Sequence, residues 1–144
     1  VRRISDIKPE MGHNMAGIYE PSNKTIYLAE QSWSHGLWQN NDDMMFVLRH
    51  EFGHAYNATA NTLGDWLSDS PKFIKAFNSD KAKLSKEILD ELQLSEKFKS
   101  PVLARDEVFA DMYAHSSGIK SNNPYSMKLK TAFPLCLKNL MGEF

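Results

Sequence analysis

Three times from residue 70 onward this chain sets a capping residue directly before a proline: Ser70-Pro71, Ser100-Pro101 and Asn123-Pro124. Proline has no N–H to give to a helical ladder, and its fixed φ suits the first helical position, where that N–H would go unused. The Ser or Asn before it carries an oxygen that accepts from an N–H inside the first turn. The pattern predicts helices over about 71–79 and 101–117, and a last one from 124 to the end that Pro134 kinks or divides. Gly118 stands where a C-cap is needed. A further helical piece is predicted over about 81–94. Nearly everything after residue 66 is thereby committed to helix.

The first part reads differently. Residues 1–16 show no period. Gly17-Ile18-Tyr19-Glu20 and Thr25-Ile26-Tyr27-Leu28-Ala29 are rich in β-branched and aromatic residues, and Pro21-Ser22-Asn23-Lys24 between them has turn chemistry. Residues 30–41 are polar, contain Trp33 and Trp38, and are expected to form a loop. Asn41 or Asp42 can then cap a helix running to about Ala58. Met44, Met45, Val47, Leu48, Phe52 and Ala55 make that helix broadly apolar, so it is expected at the centre of the molecule. Gly53 inside it costs about 1 kcal/mol against Ala, which points to a close approach there. A small sheet followed by helices gives an α+β fold. At 144 residues the chain is one domain: the sheet and the apolar helix over about 1–58, and a helical part over about 66–144. It begins at Val1, and the expectation is a domain of a longer protein.

The apolar helix carries His50-Glu51-Phe52-Gly53-His54. Histidines at i and i+4 project from one helix face, close enough to share one metal ion. The residue after the first histidine is turned about 100° round the helix. A glutamate there stands beside the metal and can take a proton from water, which is the mechanism behind the H-E-x-x-H pattern. The competing reading is a solvated or core histidine pair, but uncoordinated histidines are costly to bury on a helix this apolar.

Catalytic zinc takes three protein ligands, so the third must lie elsewhere. A glycine and a third histidine just downstream of His54 are absent, because Asn57 and Ala60 stand there. Asp65 follows a short loop, but nothing around it supports ligation. The better candidate is Arg105-Asp106-Glu107-Val108-Phe109-Ala110-Asp111. Glu107 and Asp111 share a helix face, and the small Ala110 and Ala114 flank it, so this helix can approach another closely. Two acids on a close-packing face need a positive charge opposite. Glu107 would ligate, and Asp111 would accept the other ring N–H of a ligating histidine. The bland reading is a surface acid pair beside Arg105.

HEFGHA followed on a later helix by Glu107-Val108-Phe109-Ala110-Asp111 resembles the gluzincin zinc metallopeptidases. More narrowly, it is similar to the catalytic domain of anthrax lethal factor and the Pro-Pro endopeptidases. The resemblance spans about residues 15–142, and the two motifs carry most of it. It implies a zincin-like fold, with a small twisted sheet above the active-site helix and a helical lower part. It implies Zn²⁺ held by His50, His54 and Glu107, with Glu51 as general base of a metalloendopeptidase. The protein or peptide substrate would lie extended along an edge strand, here Thr25–Ala29. Relatives of this kind act as toxins or secreted proteases, so the expected setting is a secreted or delivered effector. One departure is clear: the family's oxyanion-stabilising tyrosine, seven residues before the ligating glutamate, is here Ser100. His115, eight residues after Glu107 on nearly the same face, is the candidate replacement, with Tyr125 and Tyr113 behind it. His13 and His35 read as plain polar residues.

Two rival readings stand beside the peptidase. One is a catalytically inactive zincin-like binding module. The other is a structural metal domain whose site His115 or Asp111 closes. Trp33, Trp38 and Trp66 belong either to a cleft or to the core. A net charge of −1 gives no reason to expect nucleic acid or an acidic membrane surface as partner, and a monomer is expected. Cys136, the single cysteine, lies in an apolar stretch and reads as a buried thiol.

Overall fold

The computed structural model describes residues 3–59 and 65–142. The element order is α1 (Ile4–Ile7), β1 (Gly17–Glu20), β2 (Thr25–Leu28), β3 (Gln31–Ser34), β4 (Leu37–Asn40), α2 (Met44–Thr59), a 3₁₀ turn (Leu67–Asp69), α3 (Pro71–Lys81), α4 (Lys86–Glu91), α5 (Pro101–Ser116), α6 (Pro124–Ala132) and α7 (Pro134–Leu140). This is an α+β fold.

All three capping residues act as expected. Ser70 accepts from the Phe73 N–H, Ser100 from Leu103 and Asn123 from Tyr125, each with proline at the start of the helix. Gly118, at φ +81°, follows α5, and Pro134 divides α6 from α7. The piece expected over 81–94 is shorter, because Ser85 caps a new helix by accepting from the Ile88 N–H.

β1 and β2 form an antiparallel hairpin with Gly17 opposite Leu28 and Glu20 opposite Thr25. The Asn23 side chain accepts from the Thr25 N–H and shapes the turn. Residues 31–40, expected as loop, form a second hairpin, so among the described residues there are two two-stranded sheets. His35 and Gly36 both have positive φ, 52° and 77°, which matches the twist of a two-residue hairpin turn. Trp33 opposes Trp38, their rings edge to face at 5.4 Å. That cross-strand contact holds strands whose other residues, Leu37 apart, are polar.

Neither Asn41 nor Asp42 caps α2. Asn41 instead donates to the Ala16 and Ala29 carbonyls, tying the two hairpins together. The residue before α2 is Asp43, whose carbonyl accepts from Val47 and whose carboxylate holds Ser121 and Asn122 at the start of the α6 connection.

The main core is built by α3, α5, α6, α7 and the α4 region, from Phe73, Phe77, Leu92, Leu94, Val108, Phe109, Met112, Leu129, Phe133 and Cys136. Cys136 is buried as expected. Beside it Asp80, also buried, accepts from the Leu135 and Cys136 N–H groups at 3.0 Å and so caps α7 from across the core. Burial lifts its carboxyl above the ordinary range, against the pull of those donors. Among the described residues no helix is long and apolar enough to cross a membrane.

α2 lies between the first hairpin and α5, and among the described residues its packing against α5 is the most extensive between any two elements. A Cβ on Gly53 would sit 2.6 Å from the Ala110 Cα and 2.8 Å from its carbonyl oxygen. Those are backbone atoms, which cannot yield locally. Gly53→Ala should therefore destabilise the protein by about 1–3 kcal/mol in urea unfolding, although alanine gains about 1 kcal/mol in helix propensity. Asp80→Ala should cost a similar ~1–3 kcal/mol by leaving two buried N–H groups without an acceptor.

Candidate metal centre

α2 puts His50 and His54 one turn apart, with their rings edge to face at 4.8 Å. α5 lies opposite and brings Asp106, Glu107 and Asp111. His50 Nδ1 meets Asp111 Oδ1 at 3.2 Å, and His54 Nδ1 meets Asp106 Oδ2 at 3.0 Å. A carboxylate only accepts, so both Nδ1 atoms carry a proton, and each Nε2 is left to bind a metal ion or a second proton.

Those two Nε2 atoms face each other at 3.1 Å. Glu107 closes the group, with Oε1 3.5 Å from His50 Nε2 and Oε2 3.6 Å from His54 Nε2. Lone pairs that converge this way need a cation or a proton between them. Four ligands at about 2.0–2.1 Å on a tetrahedron lie about 3.3–3.4 Å apart. The observed spacings bracket that edge, so His50, His54 and Glu107 could hold a metal ion.

The charges around the site point the same way. Burial alone would lower the His50 pKa, but the charge of Glu107, the hydrogen bond and charge of Asp111, and the charge of Glu51 raise it to about 9. Without metal, His50 is an imidazolium at neutral pH and supplies the positive charge itself. Asp111 is 1% exposed. Burial raises its pKa, yet its hydrogen bonds to His115 and His50 and their charges bring it below the usual range.

Glu51 stands beside the ligand group, outside it, and is 6% exposed. Strand β1 crosses directly over it: a Cβ on Gly17 would fall 3.0 Å from Glu51 Cγ and 2.5 Å from Val47 Cγ1. Burial pushes the Glu51 carboxyl up, and Glu107 adds to this against His50, His54 and the Tyr19 backbone N–H, which bonds it.

The surface-acid reading of α5 does not describe this helix: Glu107 and Asp111 face the histidines, and Arg105 pairs with Asp69 at 2.6 Å. Asp106 had no role in the sequence reading. The sequence expectation supplies one aspartate for two histidines that each need a carboxylate, and that shortfall is the signal that points to Asp106. His115 lies on the expected face but is turned from the cleft. Its Nε2 donates to the Ser126 carbonyl at 3.0 Å, with Asp111 Oδ2 at 3.3 Å, and its ring packs on Phe46. Eight residues of helix put it about 12 Å along the axis from Glu107, so it supports Asp111 and is not placed to meet an oxyanion.

Ser100 is occupied as a helix cap. Tyr113 packs against Tyr56, away from the ligands. Tyr125 does line the cleft, but its hydroxyl donates to the Leu92 carbonyl. His13 bonds Ser5 and His35 bonds Ser34, as plain polar residues. Asp65 is exposed and outside the ligand group. Of the tryptophans, Trp66 lines the cleft, while Trp33 and Trp38 belong to the second hairpin.

Cavities of about 390 Å³ and 200 Å³ meet at the site and share Gly17, His50, Glu51 and Glu107. Met15, Ile18, Pro21, Ala58 and Trp66 wall the larger; Phe46, Val47, Asn123 and Tyr125 wall the smaller. The strand bordering them is β1, not the expected Thr25–Ala29 stretch, because β1 is the strand laid over Glu51. The Ala29 N–H bonds the Ala16 carbonyl, so by alternation Ile18 and Glu20 face β2 while Gly17 and Tyr19 turn their backbone groups outward.

Comparison with protein-family models finds no match, and comparison with curated proteins finds none either.

Asp106→Ala should weaken binding of a divalent metal by about 10–100-fold, read by chelator competition. The raised His50 pKa stabilises the metal-free fold fully below its unfolded value of 6.5, and that contribution is lost as pH rises through about 9. Metal must displace that proton. Apparent metal affinity should therefore rise between pH 6 and 9, with about one proton released per ion near neutrality in calorimetry across buffers.

Proposed function

We propose that this chain is the catalytic domain of a zinc-dependent metalloendopeptidase, of the gluzincin type and with a zincin-like fold. The observation that carries the reading is the convergence of His50 Nε2, His54 Nε2 and the Glu107 carboxylate, with buried Glu51 immediately beside them. Two imidazoles and one carboxylate are a donor set suited to zinc, and three protein ligands leave a position for water. Zinc held there would acidify water and polarise a carbonyl.

Glu51 is the general base. Its carboxyl, lifted by burial, takes a proton from the attacking water and returns it to the departing amine. Asp111 and Asp106 fix the tautomers of His50 and His54, which keeps both Nε2 lone pairs directed inward. A peptide adding to the outer edge of β1 would meet the backbone groups of Gly17 and the Tyr19 carbonyl, the Tyr19 N–H being taken by Glu51. Cavities on both sides of the ligands leave room for residues on both sides of the bond, which favours an endopeptidase. A protein substrate and a secreted or delivered effector role rest on the resemblance to lethal-factor-like domains.

One observation favours a non-catalytic, peptide-binding zincin-like module instead. Ser100 is committed to capping α5 and His115 faces away from the cleft, so neither stabilises an oxyanion. Metal analysis together with cleavage of an unstructured peptide library separates the two readings. Glu51→Gln should keep the fold and the metal while turnover falls by about 10²–10⁴-fold. Wild-type turnover in that variant would remove Glu51 from the mechanism.

A further inference from the structure

We propose that Asn57 is a positioning residue for the metal centre, acting on His54 through Asp106 and linking that ligand to the wall of the cleft. The inference rests on the metal-site reading above and goes beyond it.

Asn57 follows His54 by three residues on α2, so it lies one turn on and faces the same neighbour, α5. It is completely buried. Its Nδ2 donates to Asp106 Oδ1 at 2.7 Å and to Ser68 Oγ at 2.9 Å, and its Oδ1 accepts from the Ser68 backbone N–H at 2.7 Å. The orientation of the amide follows from chemistry: a carboxylate can only accept, so the nitrogen must face Asp106.

The two oxygens of Asp106 are thereby divided. Oδ1 is held by Asn57, and Oδ2 accepts from His54 Nδ1. Without Asn57, Asp106 could rotate about its side-chain bonds, and the His54 tautomer and ring direction would lose their constraint. An aspartate at 57 would set a second carboxylate against Asp106 at hydrogen-bond distance. That repels the group whose charge the imidazole needs.

The other end of the same amide reaches the cleft. Ser68 lies in the 3₁₀ turn that directly follows Trp66, and Trp66 walls the larger cavity. One carboxamide therefore fixes both the partner of a ligand and the segment that shapes the cleft. The partner of His50, Asp111, is held separately, by Ser126 and His115 from α6 and α5.

The test compares Asn57→Asp and Asn57→Ala with Asp80→Ala, which damages the fold at the α7 cap, far from the ligands in the core network. Three quantities are measured on each: urea stability, Zn²⁺ affinity by chelator competition, and the visible spectrum after loading with Co²⁺. Asn57→Asp should lose about 10–100-fold in Zn²⁺ affinity and shift the Co²⁺ absorption. Asp80→Ala, at comparable loss of stability, should keep wild-type values of both. Asn57→Ala should show the same direction, and it decides the matter if Asn57→Asp does not fold. Affinity within twofold of wild type and an unchanged Co²⁺ spectrum in the Asn57 variants would overturn the proposal and leave the metal site standing. An equal loss of affinity in Asp80→Ala would also overturn it, as a general effect of stability. A wild-type protein that takes up neither metal would overturn both this inference and the reading beneath it.

Discussion

The contact of Gly53 with Ala110 is what the remainder of the site is built on. At that point α2 and α5 touch backbone to backbone, with no room for a single Cβ. Every distance between the histidines and the acids follows from that separation. A helix pair spaced by ordinary side chains would stand further apart. Glu107 would then fall out of reach of both imidazoles, and Asp106 and Asp111 would lose their hold on the Nδ1 atoms. Glycine is a poor helix former, so its place in the middle of a sixteen-residue helix marks a position where packing overrides local preference.

Once the helices are that close, electrostatics dictate the rest. Three carboxylates on α5 face two imidazoles on α2 inside a half-buried space. The outer aspartates fix a proton on each Nδ1, so the inner nitrogens are left to bind a metal ion or a second proton. Such a group is unstable without positive charge at its centre, which a proton on His50 or a metal ion can provide. Glu51 is held in a different condition. It is covered by β1 and touched by one backbone N–H, so its charge is less well supported than that of Asp111. Two carboxylates on the same scaffold are thus shifted in opposite directions, Asp111 below the ordinary range and Glu51 above it.

The parts legible in the sequence were those that local chemistry decides. The capping residues before Pro71, Pro101 and Pro124 placed three helices because the cap and the proline act within one turn. His50, His54, Glu107 and Asp111 were legible because i, i+4 spacing fixes a shared face. The missed parts depend on which element lies opposite. His115 shares the face of Glu107, but the Ser126 carbonyl on α6 captures it, and nothing near His115 in the chain announces that. Asp106 looked like a flanking residue until the second histidine was found to need it. The 31–40 hairpin has few strand-forming residues, and it is held by the contact of two tryptophans across the strands and by Arg3 and His13 against Trp38. The strand beside the cleft could not be read either, since β1 and β2 are equivalent as sequence and differ only in which one crosses α2.

All the imidazoles of the site come from α2 and all its acids on the opposing side from α5. The site therefore has one dominant mechanical coordinate, the sliding of one rod along the other. A shift along that axis would change every spacing between a histidine and an acid together. An ion bound there would act as a rivet between the half of the chain that carries the strands and the half that carries the core. Extraction of that ion would be felt as a loosening of the two halves as well as a loss of chemistry. The same economy makes the centre portable: two helices, one glycine and their crossing geometry contain nearly all of it.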